Sequence, residues 1–140
     1  MIGKNPGSAV SAQFCLGWQT VSHAIALAEQ FLGGVAVSDD AKARLAIIVE
    51  ELVANIVEHG QSPPAEPVMI DIAMSGADIV LTISDGGIAF DPRTIPASDV
   101  ATPKRGGGAG LALINNWART IAYQRIDGRN AVTLVIPANG

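Results

Sequence analysis

Apolar residues recur at helical spacing in two segments of the first half of the chain. The first segment, residues 20–32, is followed by Gly33, which is typical of a helix C-terminus. The second starts after Ser38, a favoured N-cap residue, and carries two aspartates in its first turn, where negative charge suits the helix dipole. It is predicted to extend to His59, because Gly60 follows. The pattern therefore predicts two consecutive helices.

In the second half of the chain, apolar residues alternate with polar or small ones over short segments, as in strands with one buried face. Tight turns separate two pairs of these segments, which predicts two β-hairpins. A short helix is expected between the hairpins, and an apolar segment near the start is a candidate edge strand. The predicted strands are 12–18, 68–74, 79–84, 120–126 and 131–136, the short helix is 111–118, and the irregular loops are 61–67 and 85–109.

Helices early in the chain and strands later, with neighbouring strands joined by tight turns, predict an α+β fold. The expected architecture is a two-layer α/β sandwich, with the helices on one face of a mostly antiparallel, mixed sheet. The length of 140 residues fits one domain. We expect residues 1–11 to be a flexible leader, because they are largely polar and contain Gly and Pro, and residues 12–140 to form the domain.

The composition is that of a globular protein, with 49% hydrophobic and 16% charged residues. The net charge of −4 and the lack of a Lys/Arg run argue against a nucleic-acid partner. No apolar stretch approaches the roughly 18 residues that a membrane span needs, so no membrane association is expected. The single cysteine, Cys15, fits a reducing cytoplasm, and two histidines distant from it argue against a zinc cluster.

Two polar residues of the second predicted helix, Glu51 and Asn55, lie four positions apart and therefore on one face, about 40° apart around the axis. They border the apolar stripe, where an unpaired carboxylate is costly. One interpretation is a boundary Glu held by a surface Lys and an Asn held by backbone. The other is a catalytic base beside an Asn whose oxygen binds a hard cation. His59, at the helix end, suits the helix dipole. The residues expected on the solvent side are Glu50, Ala54 and Glu58.

The first glycine-rich loop begins at Asp85, directly after a predicted strand. This places a carboxylate at the C-terminal edge of the strand, with Gly87 leaving the backbone open to close approach. A purely structural alternative is a common Asp-Gly turn with Phe90 filling the core. The loop alone does not decide between a binding site and a turn.

The second glycine-rich loop, residues 104–110, runs into the predicted short helix. Glycines before a helix N-terminus expose amide hydrogens to an anion, and Lys104 and Arg105 add positive charge. A flexible linker has a similar composition. The loop is not a Walker A motif, which requires Gly-Lys-Ser/Thr, and it lacks the preceding strand of the dinucleotide fingerprint.

The helical Glu/Asn pair, the strand-end Asp and the glycine-rich helix start occur in this order in one short chain. A purine amine needs an acceptor such as a carboxylate, phosphates need backbone amides, and Mg²⁺ needs oxygen ligands. Asp85, the second glycine loop and Asn55 meet these needs in turn. The combination therefore favours a nucleotide site, whereas each element alone has an ordinary structural explanation.

These segments resemble the motifs of the Bergerat-fold ATPases, the superfamily that includes gyrase and the histidine kinases. The N box corresponds to residues 51–55, the first glycine box to 85–92 and the second to 107–114. Within that superfamily the chain most resembles the small bacterial anti-sigma-factor serine kinases, whose N box has the form Glu-x-x-x-Asn-x-x-x-His and whose first glycine box ends in Phe-Asp-Pro. The tail 123–134 also looks like theirs, and the resemblance covers about residues 12–136.

The resemblance implies a domain that binds ATP together with Mg²⁺. Asn55 would coordinate the metal, and Glu51 would act as the base toward an attacking hydroxyl. Asp85 would read the adenine amine, and Gly87 would let the base approach. Residues 93–106 would form the ATP lid. The other residues implied to contact the nucleotide are His59, Ala89, Phe90, Lys104, Arg105, Gly106, Gly107, Gly108, Ala109, Gly110, Leu111 and Thr133.

Members of this family phosphorylate a serine on an antagonist protein and, when free, sequester a sigma factor. The resemblance therefore implies a cytoplasmic, homodimeric, ATP-dependent protein serine/threonine kinase. The alternative is a non-catalytic nucleotide-binding module that switches a partner protein. Two departures stand out: Ala89 replaces a glycine often found in the first box, and residues 116–118 lack an acidic residue common after the second. The second departure bears on partner recognition more than on nucleotide binding.

Overall fold

The fold is taken from a computed structural model, which describes residues 9–60, 66–93 and 108–139. In these ranges the chain forms three helices and five strands, and none of the three helices is both long and apolar enough to span a membrane. In chain order the elements are β1 (Ala9–Phe14), α1 (Thr20–Leu32), α2 (Asp39–His59), β2 (Val68–Ser75), β3 (Asp78–Asp85), α3 (Gly108–Trp117), β4 (Thr120–Ile126) and β5 (Arg129–Pro137).

The two helices predicted in the first half of the chain are present with the predicted bounds. The Ser38 side chain accepts a hydrogen bond from the Ala41 backbone N–H at 3.1 Å and so caps α2. At the other end the Gly60 N–H donates to the Ile56 carbonyl at 3.0 Å. α1 ends before Gly33, as expected. Local capping signals therefore set the length of α2 and the orientation of its polar residues.

The five strands form one sheet in the order β1-β2-β3-β5-β4. Two hairpins, β2–β3 and β4–β5, join through β3 and β5, and this pairing sets Asp85 opposite Asn130. The predicted α+β class is confirmed. All four pairings of the described strands are antiparallel, so the described sheet has no parallel part.

Several element boundaries differ from the prediction: β1 ends at Phe14 and not at residue 18, and β5 starts at Arg129, inside the predicted turn. β1 lies at the sheet edge as expected, but it starts at Ala9, within the segment assigned to the leader. Its residues pair with β2 from Ala9 opposite Ala73 onward, and every second residue packs partly against the core. The start of the strand was missed because this segment is short and only weakly apolar. α3 starts at Gly108 rather than at residue 111, because glycines of low helix propensity hide the first turn.

The core lies between the helices and one face of the sheet. Along β3 and β5 every second residue is buried, for example Leu81 and Leu134, which are both fully buried. The intervening positions, such as Thr82 and Thr133, lie on the opposite face and are half-buried. The largest fully buried side chains of the helices are Phe31, Leu45, Ile48, Val49, Val53 and Ile114.

The predicted solvent side of α2 is wrong at Ala54, which is only 2% exposed. α2 contacts α1, α3 and β5, and a helix enclosed by several elements buries more than one stripe. Glu50 and Glu58 are exposed, as predicted. On the α3 side, the Arg44 guanidinium lies 5.8 Å from the centroid of the Trp117 ring and joins the two helices.

Candidate functional site

The carboxylate of Asp85 is buried at the C-terminal end of β3 and is held by the loop that follows. The side chain is only 6% exposed. The Gly87 N–H donates to Asp85 Oδ2 at 2.8 Å, so the carboxylate and the first turn of the loop fix one another. A buried carboxylate at a strand end with acceptor capacity to spare is suited to bind a donor on a ligand.

Gly87 lies at a close approach between this loop and the end of α2. A Cβ atom at this position would lie 2.2 Å from the Gly60 carbonyl oxygen and 2.8 Å from Asp85 Oδ2, so a larger residue would force the backbone of the loop or of Gly60 to shift. The next residue, Ile88, donates its N–H to the same Gly60 carbonyl at 2.7 Å. The end of the helix with the Glu/Asn pair is thus joined directly to the strand-end loop.

Asn130 is a second residue that holds the Asp85 carboxylate. Its Nδ2 donates to Asp85 Oδ2 at 3.3 Å and to the Ile88 carbonyl at 2.7 Å. Its Oδ1 accepts from Tyr123 Oη, from Arg125 Nη1 at 2.9 Å and from the Phe90 N–H at 3.4 Å. Asn130 lies within the tail motif, but no role was predicted for it from the sequence. The signal that could have identified it is its position two residues before Val132, which places it on the buried face of β5.

Arg125 extends this network to the glycine itself. Its Nη1 donates to the Gly87 carbonyl at 3.0 Å as well as to Asn130 Oδ1. Gly87 therefore donates its N–H to Asp85 and accepts a hydrogen bond from Arg125 at its carbonyl. These contacts fix the turn of the first glycine box from both β3 and β4.

The opposite face of the sheet contributes a second clamp on the same strand end. Arg129 donates to Ser84 Oγ at 2.9 Å and to the Pro67 carbonyl at 2.8 Å, and it pairs with Glu66 Oε1 at 3.0 Å. A Cβ on Gly86 would in turn meet the Glu66 side chain at 2.7 Å. Consecutive residues of β5, Arg129 and Asn130, therefore hold the loop from the two faces.

On α2, Asn55 is buried, with 9% of its surface exposed. Its Nδ2 is enclosed and has no hydrogen-bond partner among the described residues. Glu51 lies one turn before it and is half-buried. A buried N–H without a partner costs free energy, so this position favours an oxygen acceptor from a water or a ligand.

The second glycine box leads into α3 as expected. The backbone of Gly108, Ala109, Gly110 and Leu111 forms the first turn of this helix, where free N–H groups favour an anion. Asn115 Nδ2 donates to the Pro92 carbonyl at 3.0 Å and links α3 to the end of the first glycine box. The rest of the predicted phosphate-binding loop and the predicted lid beyond Arg93 lie outside the described residues. The loop residues concerned are Lys104, Arg105, Gly106 and Gly107.

Other predicted site residues lie at the margin of this arrangement or away from it. The His59 side chain is 68% exposed, with Nε2 3.7 Å from Glu58 Oε1. Ala89 is exposed, and Phe90, at 42% exposure, does not fill the core. Thr133 lies on the sheet face opposite Asp85, with its hydroxyl 3.3 Å from that of Thr82. The structure therefore does not bring Thr133 to the strand-end cluster, because its position in β5 has the wrong parity.

The end of the first glycine box carries a local ion pair. Arg93 Nε donates to both carboxyl oxygens of Asp91, at 2.9 Å and 3.1 Å, and Arg93 Nη2 donates to Asp91 Oδ2 at 2.6 Å. These side-chain hydrogen bonds hold the pKa of the Asp91 carboxyl below its usual range. The pair shapes the exit of the loop rather than the buried cluster.

The donor set was tested for a divalent metal. The described residues contain no cluster of three or more His, Cys, Asp or Glu side chains that could hold a metal ion. Mg²⁺ keeps several water ligands and is usually bound by one or two protein groups together with phosphates. Asn55 would offer its amide oxygen Oδ1 as one such protein ligand, whereas its unpaired Nδ2 is a donor suited to an oxygen acceptor and not to a cation.

Comparison with known proteins agrees with this geometry. Residues 18–136 match the model of the histidine kinase-like ATPase domain, which covers most of the chain. The chain therefore belongs to the histidine kinase-like ATPase domain family, as its three motifs predicted.

Among its relatives, the serine/threonine-protein kinase BtrW of Bordetella bronchiseptica is 32% identical over 95 residues, which cover 64% of this chain and 66% of BtrW. In fold, the chain is similar to a crystal structure of the RsbU and RsbW domains of Rv1364c from Mycobacterium tuberculosis, with a TM-score of 0.65, 16% identity, and coverage of 94% of this chain and 34% of that one. A blue-light activated histidine kinase of Erythrobacter litoralis gives a TM-score of 0.55 at 21% identity, with coverage of 75% and 33%.

Proposed function

We propose that this chain is an ATP-binding regulatory protein, an anti-sigma-factor protein-serine kinase that phosphorylates an antagonist protein and, when free, sequesters a sigma factor. We place it in the cytoplasm as a homodimer, in line with the family that its motifs resemble. The observation that carries the proposal is the direct junction of the Glu51/Asn55 helix with the strand-end loop, through the Gly60 carbonyl and the Ile88 N–H.

Within the proposed site, each group has a separate task. Asp85 accepts the exocyclic amine of adenine, and the Gly87 N–H holds the carboxylate in place for it. Asn55 would hold Mg²⁺ through its amide oxygen Oδ1, and the metal would neutralise phosphate charge when bound. The free N–H groups at the start of α3, with Lys104 and Arg105, hold the phosphates.

Glu51 is the proposed general base. It accepts the proton of the attacking serine hydroxyl while the oxygen forms its bond to the γ-phosphorus, and ADP leaves with the electron pair of the broken bond. Glu51 lies one helical turn from Asn55, so a base and a metal ligand are presented on one face of α2. Phosphoryl transfer depends mainly on positioning and charge neutralisation, which a small site can supply.

The comparisons support the kinase assignment at the level of relatives. BtrW is named a serine/threonine-protein kinase, and the Rv1364c structure is named for an RsbW domain. Both are similar to this chain over only part of their own length. The proposed partners, an antagonist protein and a sigma factor, therefore rest on the motif resemblance together with these names.

The test is phosphate transfer from labelled ATP to a purified antagonist protein encoded beside this chain. We expect transfer by the wild-type chain and its loss in Glu51→Gln, with ATP affinity retained. Glu50→Gln is the matched control, because Glu50 is exposed on the same helix. Transfer that survives in Glu51→Gln would overturn the assigned base. ATP binding without transfer in the wild type would favour the alternative, a non-catalytic module that switches its partner.

A further inference from the structure

Asn130 occupies the centre of the hydrogen-bond network behind Asp85. It is 3% exposed, and its side-chain amide is hydrogen-bonded to five other residues. Two of these partners, Asp85 Oδ2 and the Ile88 carbonyl, are acceptors and are met by Nδ2. The other three are donors and are met by Oδ1. Both the donor and the acceptor of this amide are therefore satisfied by hydrogen bonds.

The amide has only one workable orientation. Arg125 and the Phe90 N–H are donors that cannot accept a hydrogen bond, so a rotated amide would set N–H groups against them. The same rotation would set the amide oxygen against the Asp85 carboxylate. The Asn130 donor is therefore fixed toward Asp85 by groups on β4 and on the glycine loop.

This fixed donor determines which carboxylate oxygen of Asp85 remains available. Oδ2 receives both the Gly87 N–H at 2.8 Å and Asn130 Nδ2 at 3.3 Å. From the described part of the chain, Oδ1 receives only the longer contact from Asn130, at 3.5 Å. Because both donors converge on Oδ2, the free acceptor capacity of the carboxylate is concentrated on Oδ1.

We propose that Asn130 is a positioning residue that sets the preference of the site for a purine bearing an exocyclic amine, by holding Asp85 with Oδ1 presented as an acceptor. The inference rests on the proposed function of Asp85 in reading adenine and goes beyond it, since it assigns base selectivity to a residue behind the carboxylate. Tyr123 and Arg125 act one step further back, because they hold the Asn130 amide in place.

The experiment compares the affinities of two nucleotides, measured by displacement of a fluorescent ATP analogue. ATP carries the amine at position 6 of the purine, and inosine triphosphate carries a carbonyl oxygen there. We expect the wild-type chain to prefer ATP, and Asn130→Ala to lower the ratio of the two affinities by about tenfold. Arg129→Ala is the matched control: it removes the clamp on the opposite face, and both affinities change together, leaving the ratio intact.

The outcomes separate this inference from the proposed function. If the wild type does not prefer ATP, or if Asp85→Ala keeps the preference, the assignment of Asp85 itself fails. If Asp85→Ala removes the preference and Asn130→Ala keeps it, the role of Asn130 alone fails.

A variant with a milder change covers the case in which Asn130→Ala does not fold, as judged by circular dichroism. Tyr123→Phe removes one donor to Asn130 Oδ1 and keeps the ring, so it should lower the ATP preference by a smaller factor than Asp85→Ala. A preference equal to that of the wild type in folded Tyr123→Phe, with Asn130→Ala unfolded, would overturn the proposal.

Discussion

The carbonyl oxygen of Gly60 lies 2.2 Å from the position that a Cβ atom on Gly87 would occupy. The end of α2 and the first glycine box are therefore packed so closely that only glycine fits between them. This contact holds the proposed base and metal ligand in register with the proposed reader of adenine. Two segments that are distant in sequence meet at this point.

Gly87→Ala is expected to destabilise the chain by about 1–3 kcal/mol, because the loop must move away from Gly60. The same movement displaces Asp85, so ATP affinity should fall as well. Urea unfolding and nucleotide displacement measure the two effects. Gly17→Ala is the control, since a Cβ there meets nothing within 4 Å. Wild-type stability in Gly87→Ala would contradict the packing described above.

Asn55 and Asn130 offer a comparison of the same substitution at two buried amides. Asn55→Ala removes an amide whose Nδ2 has no partner among the described residues, and it also raises helix propensity. The free energy of unfolding without nucleotide should therefore be unchanged or higher by about 0.5–1 kcal/mol. Asn130→Ala breaks a satisfied network and should cost about 1–3 kcal/mol or more. Urea unfolding of the two variants provides the measurement.

Asn55→Ala should also remove the thermal stabilisation that Mg-ATP gives to the folded wild type. Melting curves with ATP, in Mg²⁺ or in a chelator, report this separately from intrinsic stability. A large loss of stability in Asn55→Ala, together with full stabilisation by Mg-ATP, would show that the amide is structural and not a ligand.

The Asp91–Arg93 pair makes a pH-dependent contribution to stability. Hydrogen bonds from Arg93 lower the pKa of Asp91 in the folded chain, so the unfolded chain binds more protons as the pH falls. The contribution is complete above the unfolded pKa of about 3.9 and is lost as the pH falls through the lower folded value.

The Arg93 side chain is 47% exposed and that of Asp91 21%, so the effect of this surface pair should be small and weakened by salt. Asp91→Asn should be slightly less stable than the wild type at neutral pH, and the difference should disappear in strong acid. Chemical unfolding across a pH series tests this. If the stability difference between the wild type and Asp91→Asn grew as the pH fell, the proposed stabilising effect of the ion pair would be contradicted.

Thr133→Val is expected to leave ATP affinity within about twofold of the wild type, because Thr133 and its partner Thr82 lie on the sheet face away from Asp85. Nucleotide displacement measures the affinity, with Asp85→Ala as the variant that should lose it. A strong loss of affinity in Thr133→Val would return this residue to the nucleotide site.

Much of the fold was predictable because its signals are local. Ser38 caps α2 through its own side chain, and alternation of apolar residues predicts both hairpins. The weakest signals were at element ends: β1 starts earlier than predicted, and glycines hide the start of α3. Burial of Ala54 was not predictable from the helix alone, since it depends on which elements enclose α2.

The sequence by itself determined the family, the three motif segments and the candidate residues on α2, because spacing along a helix and glycines in a loop are properties of neighbouring residues. Only the tertiary structure decided that Asn130, and not Thr133, lies beside Asp85. The physical reason is register: β3 pairs with β5 across 45 positions of chain, and moving along a strand by an odd number of residues sends a side chain to the other face.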